Sequence, residues 1–262
     1  MGRPKTMAGW PTNAARAASG SLPGAGKTML DLVLEVTHLG VALDGVRVVN
    51  DVSFALERGE SLAIIGPNGA GKTMLLRALV GTVRFSGRVR FGPGVKLGYV
   101  PQRVEADRFL PICLDDLLRA KLRILGLPAS RATAMVELVG LSARTVRKPI
   151  GQLSGGHLQK ALVAFALLGE PNLILFDEPT ASLDRPSEEH IFELIRRLQG
   201  QLGLTLAVVS HDLSIVYRYA SKVLCLNRQS VCYGPPREVL NPQALERLYG
   251  APHHFYRHDH PT

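Results

Sequence analysis

The sequence predicts an α/β fold in which a mainly parallel sheet is joined to an antiparallel β subdomain and a helical subdomain. Three observations predict it. A glycine-rich loop at residues 66–71 lies between a buried apolar run, Ser61-Leu62-Ala63-Ile64-Ile65, and a stretch with helical spacing from Thr73 to Val80. Two further apolar runs, Leu173 to Phe176 and Leu204 to Val209, alternate with helical patterns, as strands of a parallel core do. Val52-Ser53-Phe54-Ala55-Leu56 and Arg88-Val89-Arg90-Phe91 alternate apolar and polar side chains, the period of a half-exposed antiparallel strand.

Taken in order, residues 1–30 are rich in Ala, Gly, Ser and Pro, carry no acidic residue and read as a disordered extension, with Met29 a candidate start. Leu32 to Val36 reads as the first strand, and Lys96 to Val100 joins the antiparallel strands that flank the glycine loop. The helix after that loop places Leu75, Leu76, Leu79 and Val80 on its inner face. From Leu114 to Leu141 the pattern is helical, broken at Gly126 and Pro128. A helix after Pro186 carries Ile191, Leu194, Ile195 and Leu198 at the spacing of a buried face. Val223 to Asn227 and Val231 to Tyr233 pair as a hairpin.

The chain has 262 residues, 46% of them apolar, enough for one large domain with a sizeable core. No stretch approaches the roughly 20 apolar residues of a membrane-spanning helix. Cys113, Cys225 and Cys232 make no disulfide framework, so a reducing compartment is expected, and Cys225 and Cys232 read as packing residues. The net charge of +9 points to an anionic membrane face rather than nucleic acid, because the arginines are scattered and no aromatic-rich basic patch occurs.

Gly66-Pro67-Asn68-Gly69-Ala70-Gly71-Lys72-Thr73 fits the phosphate-binding pattern G-x-x-x-x-G-K-[ST] at every fixed position. Glycines let the backbone approach phosphate oxygens, and successive N–H groups at a helix N-terminus form an anion nest. Lys72 then neutralises the β- and γ-phosphates of a nucleoside triphosphate, and Thr73 holds Mg²⁺. Gly24 to Leu30 repeats the letters of Gly69 to Leu75, but Ser21 replaces the first glycine and no strand precedes it, so a second site is rejected. The strand Leu173 to Phe176 ends in Asp177 and Glu178: Asp177 reaches the Mg²⁺ shell, and Glu178 polarises an attacking water. No Asn-Lys-x-Asp guanine motif occurs, which argues against a GTPase.

Leu153-Ser154-Gly155-Gly156-His157-Leu158-Gln159-Lys160 closely resembles the Leu-Ser-Gly-Gly-Gln signature of ATP-binding cassette (ABC) transporter ATPases. The resemblance spans roughly Leu32 to Gly250. It implies a P-loop NTPase core, ATP and Mg²⁺ as cofactors, and a homodimer in which Ser154, Gly155 and Gly156 face the γ-phosphate held by the other subunit. It also implies that Gln102, in Tyr99-Val100-Pro101-Gln102, touches Mg²⁺ or its water. Ala181-Ser182-Leu183-Asp184 would be the loop crossing the dimer interface, with Asp184 beside nucleotide, and His211 the histidine that contacts the γ-phosphate. The expected organisation is an extension at 1–30, the ATPase domain at 31–250 with its helical subdomain at about 103–165, and a histidine-rich tail at 251–262.

Two positions depart from the family pattern. Leu43 stands where an aromatic residue usually stacks on adenine, and His157 replaces the signature glutamine. A single cassette without a membrane span implies integral membrane permease subunits as partners, docked over about residues 103–152. It also implies a peripheral place on the cytoplasmic face of the membrane and an extracytoplasmic metal-binding protein as an indirect partner. The stretches Ser210 to Val216, Val223 to Asn227 and Cys232-Tyr233-Gly234 resemble the ATPase subunits of bacterial zinc and manganese importers. Leu248-Tyr249-Gly250 and the tail His253-His254-Phe255-Tyr256-Arg257-His258-Asp259-His260 lean to zinc, since imidazoles with an aspartate suit that ion. A disordered polar end with chance histidines is the other reading of the tail. Transport of manganese, iron or another solute stays open, as does, more remotely, a soluble ABC protein acting on nucleic acid or ribosomes.

Overall fold

The computed structural model describes residues 31–102, 111–181 and 183–250. Its first sheet is antiparallel and joins β1 (Leu32–Leu43), β2 (Val46–Glu57) and β4 (Ser86–Phe91), with β1 in the middle. The second contains β3 (Ser61–Ile65), β5 (Leu97–Val100), β6 (Leu173–Phe176), β7 (Thr205–Val209), β8 (Lys222–Asn227) and β9 (Gln229–Gly234). Its order is β5-β6-β7-β3-β8-β9, parallel throughout except for the β8–β9 hairpin at one edge.

The helices are α1 (Lys72–Val80), α2 (Leu114–Leu125), α3 (Ser130–Leu138), α4 (Ala143–Val146), α5 (Gly155–Leu167), α6 (Arg185–Leu202), α7 (Leu213–Tyr219), α8 (Pro236–Val239) and α9 (Pro242–Tyr249). None of them, among the described residues, is long and apolar enough to cross a membrane.

Strand alternation divides the core between the two faces of the parallel sheet. Leu173 and Leu175 of β6, with Ala207 and Val209 of β7, pack toward α1 and the antiparallel sheet. Ile174 and Phe176, with Leu206 and Val208, pack toward α2, α3, α5 and α6. Ile191, Leu194, Ile195 and Leu198 are buried on α6 as its spacing predicts, together with Phe192.

Three expectations need correction. The strand at Lys96 to Val100 does not join the antiparallel sheet: β5 pairs in parallel with β6, Tyr99 beside Leu175 and Val100 beside Phe176. A strand of four residues carries too few side chains to reveal which partner it takes. β1 runs on to Leu43 because bulges after Val36 and Leu39 break its alternation without ending its pairing with β2. On α1, Leu75, Leu76 and Leu79 are buried as expected, together with Ala78, and Val80 packs half-buried against the same core. Cys225 and Cys232 stand opposite each other in the β8–β9 ladder, with Cα atoms 4.8 Å apart, and are joined by a disulfide. The hairpin register, invisible in the cysteine count, brings them together; Cys113 is free. The extension at 1–30 with its repeated Gly-Lys-Thr letters, residues 103–110, Ser182 and the tail at 251–262 lie outside the described residues.

Candidate nucleotide-binding site

The parallel order puts the carboxyl ends of β3, β5, β6 and β7 along one edge, where ligands of open α/β sheets bind. The phosphate loop leaves β3 at that edge and runs directly into α1. Its backbone fits only glycine at two places. Gly71 has φ 95, and a Cβ there would stand 2.5 Å from the Val48 carbonyl oxygen. Gly66 has φ 156, and its Cβ would stand 1.9 Å from the Leu226 carbonyl oxygen. The loop is thus wedged between β2 and β8. Arg228 N–H, just past β8, donates to the Ala70 carbonyl at 3.0 Å and ties the hairpin to the loop.

Lys72 is buried, and its ammonium donates back to the carbonyls of Gly66 (3.0 Å) and Pro67 (3.1 Å). It also stands 3.5 Å from a carboxylate oxygen of Glu178. With two carbonyl hydrogen bonds and a looser ion pair the charge is held in place above the loop, where a phosphate could take the place of the carboxylate. Thr73, one residue on, donates from its hydroxyl to Asp177 Oδ1 at 3.0 Å.

Asp177 and Glu178 follow β6 on the neighbouring strands' edge. Asp177 is 1% exposed. Burial raises the pKa of its carboxyl, while the hydrogen bonds from Thr73 and Tyr99 pull the other way. Glu178 takes a left-handed backbone conformation, φ 47, which costs a non-glycine residue about 1 kcal/mol or more and turns its side chain back over the loop. Gln102 Nε2 donates to Glu178 Oε2 at 2.7 Å. The edge strand β5 therefore reaches both acids: Gln102 holds Glu178, and the Tyr99 hydroxyl donates to Asp177 Oδ2 at 3.2 Å. The sequence marks Tyr99 only as a strand residue. Its position three residues before Gln102 was the available signal.

Lys72, Thr73, Gln102, Asp177 and Glu178 thus form one connected cluster. His211 is exposed and follows β7, which lies between β6 and β3, so it sits on the same edge. The signature segment is built separately. Ser154 caps α5: its hydroxyl accepts from the His157 N–H at 3.4 Å and lies 2.7 Å from His157 Nδ1. Gly155 and Gly156 form the first turn, and a Cβ on Gly156 would meet nothing within 4 Å. No packing among the described residues requires glycine at 156, and an exposed helix N-terminus suits an approaching anion. Asp184 is exposed at the N-cap position of α6 and makes no side-chain cap hydrogen bond, and Leu43 ends β1 with 41% of its surface exposed.

Comparison with known proteins gives concordant results. The family model described as "ABC transporter" matches residues 49–181. The zinc import ATP-binding protein ZnuC of Cereibacter sphaeroides is 41% identical over 218 residues, covering 81% of this chain and 86% of that protein. The protein of the same name from Pseudomonas aeruginosa is 35% identical over 240 residues, 88% of each chain. Among solved structures, a chain from an inward-facing conformation of an ABC transporter superposes with a TM-score of 0.76 at 26% identity, covering 85% of this chain and 90% of that one.

Proposed function

The chain belongs to the ABC transporter family, and from that premise we propose that it is the ATP-hydrolysing subunit of an importer whose cargo is zinc. The catalytic half of this reading is supported above all by one contact set, in which Lys72 and Gln102 both engage Glu178 at the mouth of the phosphate loop. The loop N–H groups and Lys72 bind the β- and γ-phosphates of ATP. Lys72 then leaves Glu178 for the γ-phosphate. Glu178, freed of its cation and still held by Gln102, accepts a proton from the attacking water. His211, on the same edge, is placed to donate to the γ-phosphate.

The donor set fits Mg²⁺: the Thr73 hydroxyl, the Asp177 carboxylate and the Gln102 amide are hard oxygen ligands, and no thiolate stands among them. Thr73 and Asp177 would hold the ion with Gln102 beside it. Bound there, it would neutralise charge on the β- and γ-phosphates.

Ser154, Gly155 and Gly156 serve a second copy of the chain. Ser154 and Gly155 are exposed at the N-terminus of their helix, as a surface completed by a partner's γ-phosphate requires, and Asp184 would line the same interface. Closing and opening of this homodimer drives integral membrane permease subunits docked on the helical subdomain, so the chain works as a peripheral protein of the membrane. An extracytoplasmic metal-binding protein would deliver the cargo. The domain limits 31–250 and 103–165 are part of the same proposal.

His157→Gln is expected to leave ATP turnover within about twofold. A glutamine three residues after a capping serine reaches the serine's own N–H in a capping box, so the exchange shifts the cap by about half a kcal/mol or less. A collapse of turnover in steady-state assays would give His157 a specific task. The cargo is tested by uptake of labelled zinc and manganese at limiting concentration, with and without this gene product. Loss of zinc uptake alone is expected; loss of manganese alone would overturn the cargo and leave the ATPase mechanism standing.

A further inference from the structure

We infer that Tyr99 is a positioning residue for Asp177, holding one carboxylate oxygen so that the other is presented to Thr73 and the metal position, and joining that carboxylate to the strand that carries Gln102. The inference rests on the reading of Asp177 as the magnesium carboxylate. Three features of the site carry it.

The first is division of labour on one carboxylate. Thr73 donates to Oδ1 from α1, and Tyr99 donates to Oδ2 from β5. Two donors on opposite oxygens fix rotation about the Cβ–Cγ bond. A residue outside the coordination shell that orients a ligand in this way commonly matters about tenfold or more to metal affinity. The second is burial. Asp177 is 1% exposed, so water cannot replace a lost donor. The third is how the hydroxyl is delivered. Tyr99 alternates with Val100 along β5: Val100 packs toward α5 and α6, while the Tyr99 ring packs under α1 with Leu97. The ring is therefore held by the core, and only its hydroxyl reaches the carboxyl edge.

The chain just past β5 supplies a second donor. Gln102 lies three residues on and holds Glu178 at 2.7 Å, so a shift of β5 moves the partners of both acids together. Metal loading at Asp177 and the poise of Glu178 are coupled through this strand.

Tyr99→Phe removes the hydroxyl and keeps the packed ring. The test uses the full chain with a non-hydrolysable ATP analogue, and measures its affinity in EDTA and along a Mg²⁺ titration. In EDTA the variant is expected to bind like the wild type. In Mg²⁺ it should need about tenfold more ion for half of the tightening. Coincident Mg²⁺ curves for the two proteins overturn the inference. So does an equal loss of affinity in EDTA and in Mg²⁺, the mark of a merely structural tyrosine. A wild type whose affinity does not respond to Mg²⁺ sinks the assignment of Asp177 itself, an outcome distinct from the other two.

Discussion

Glu178→Gln is expected to cut ATP turnover by about a hundredfold to ten-thousandfold while leaving ATP binding intact or tighter. The turnover loss is what removal of a positioned general base costs. The binding half follows from the ligand-free geometry. A Glu178 oxygen stands 3.5 Å from the Lys72 ammonium, in a site where the two side chains are 15% and 6% exposed. At so little exposure their attraction is weakly screened, and ATP must displace that carboxylate to reach Lys72. An amide carries no charge to compete, yet it can keep the 2.7 Å contact with Gln102. The variant should therefore accumulate as an ATP-bound dimer, visible by size-exclusion chromatography in ATP and Mg²⁺. Normal turnover would remove Glu178 from the mechanism. Lost turnover together with lost ATP binding would mean that the side chain serves to organise the loop.

The candidate nucleotide site was legible because its residues are written in contiguous letters. Gly66 to Thr73 must follow a strand and open a helix, and Asp177 and Glu178 must end a strand, so local pattern and position in the sheet carry the same information. The parallel strands β3, β6 and β7 were legible for a related reason: buried on both faces, each is a continuous apolar run. What stayed hidden depends on pairing between distant segments. β5 offers four residues, and only its ladder with β6 assigns it to the parallel sheet. The same ladder brings Tyr99 to Asp177, so one unreadable pairing concealed both the strand's partner and a residue of the site. The Cys225–Cys232 disulfide follows from hairpin register in the same way. His157 is an intermediate case. The sequence marks it as a departure, but its contact with Ser154 arises from the helix cap.

Gly66→Ala should cost more than any other single methyl added to the phosphate loop, because it drives a Cβ into the buried backbone of β8. The new Cβ would lie 1.9 Å from the Leu226 carbonyl oxygen, 3.1 Å from its carbon and 3.3 Å from the Ala70 Cβ. Leu226 is fully buried in β8, so the carbonyl cannot swing aside as a flexible side chain would. Either the loop or the β8–β9 hairpin must move, and Arg228 N–H to Ala70 O, at 3.0 Å, means that neither moves alone. Overpacking of this kind costs about 1–3 kcal/mol, roughly 3–10 °C in melting temperature for a domain of this size. Displacing the N–H nest by about an ångström should weaken ATP binding by roughly a hundredfold. Gly45→Ala separates the clash from the backbone term. Gly45 has φ 80, but a Cβ there meets nothing within 4 Å, so that variant should lose only about 1–2 kcal/mol and bind ATP normally. If Gly66→Ala melted and bound like Gly45→Ala, β8 would not be the wall that shapes the loop. If it loses binding as expected, the edge hairpin is part of the candidate nucleotide site through its backbone, at Leu226 and Arg228.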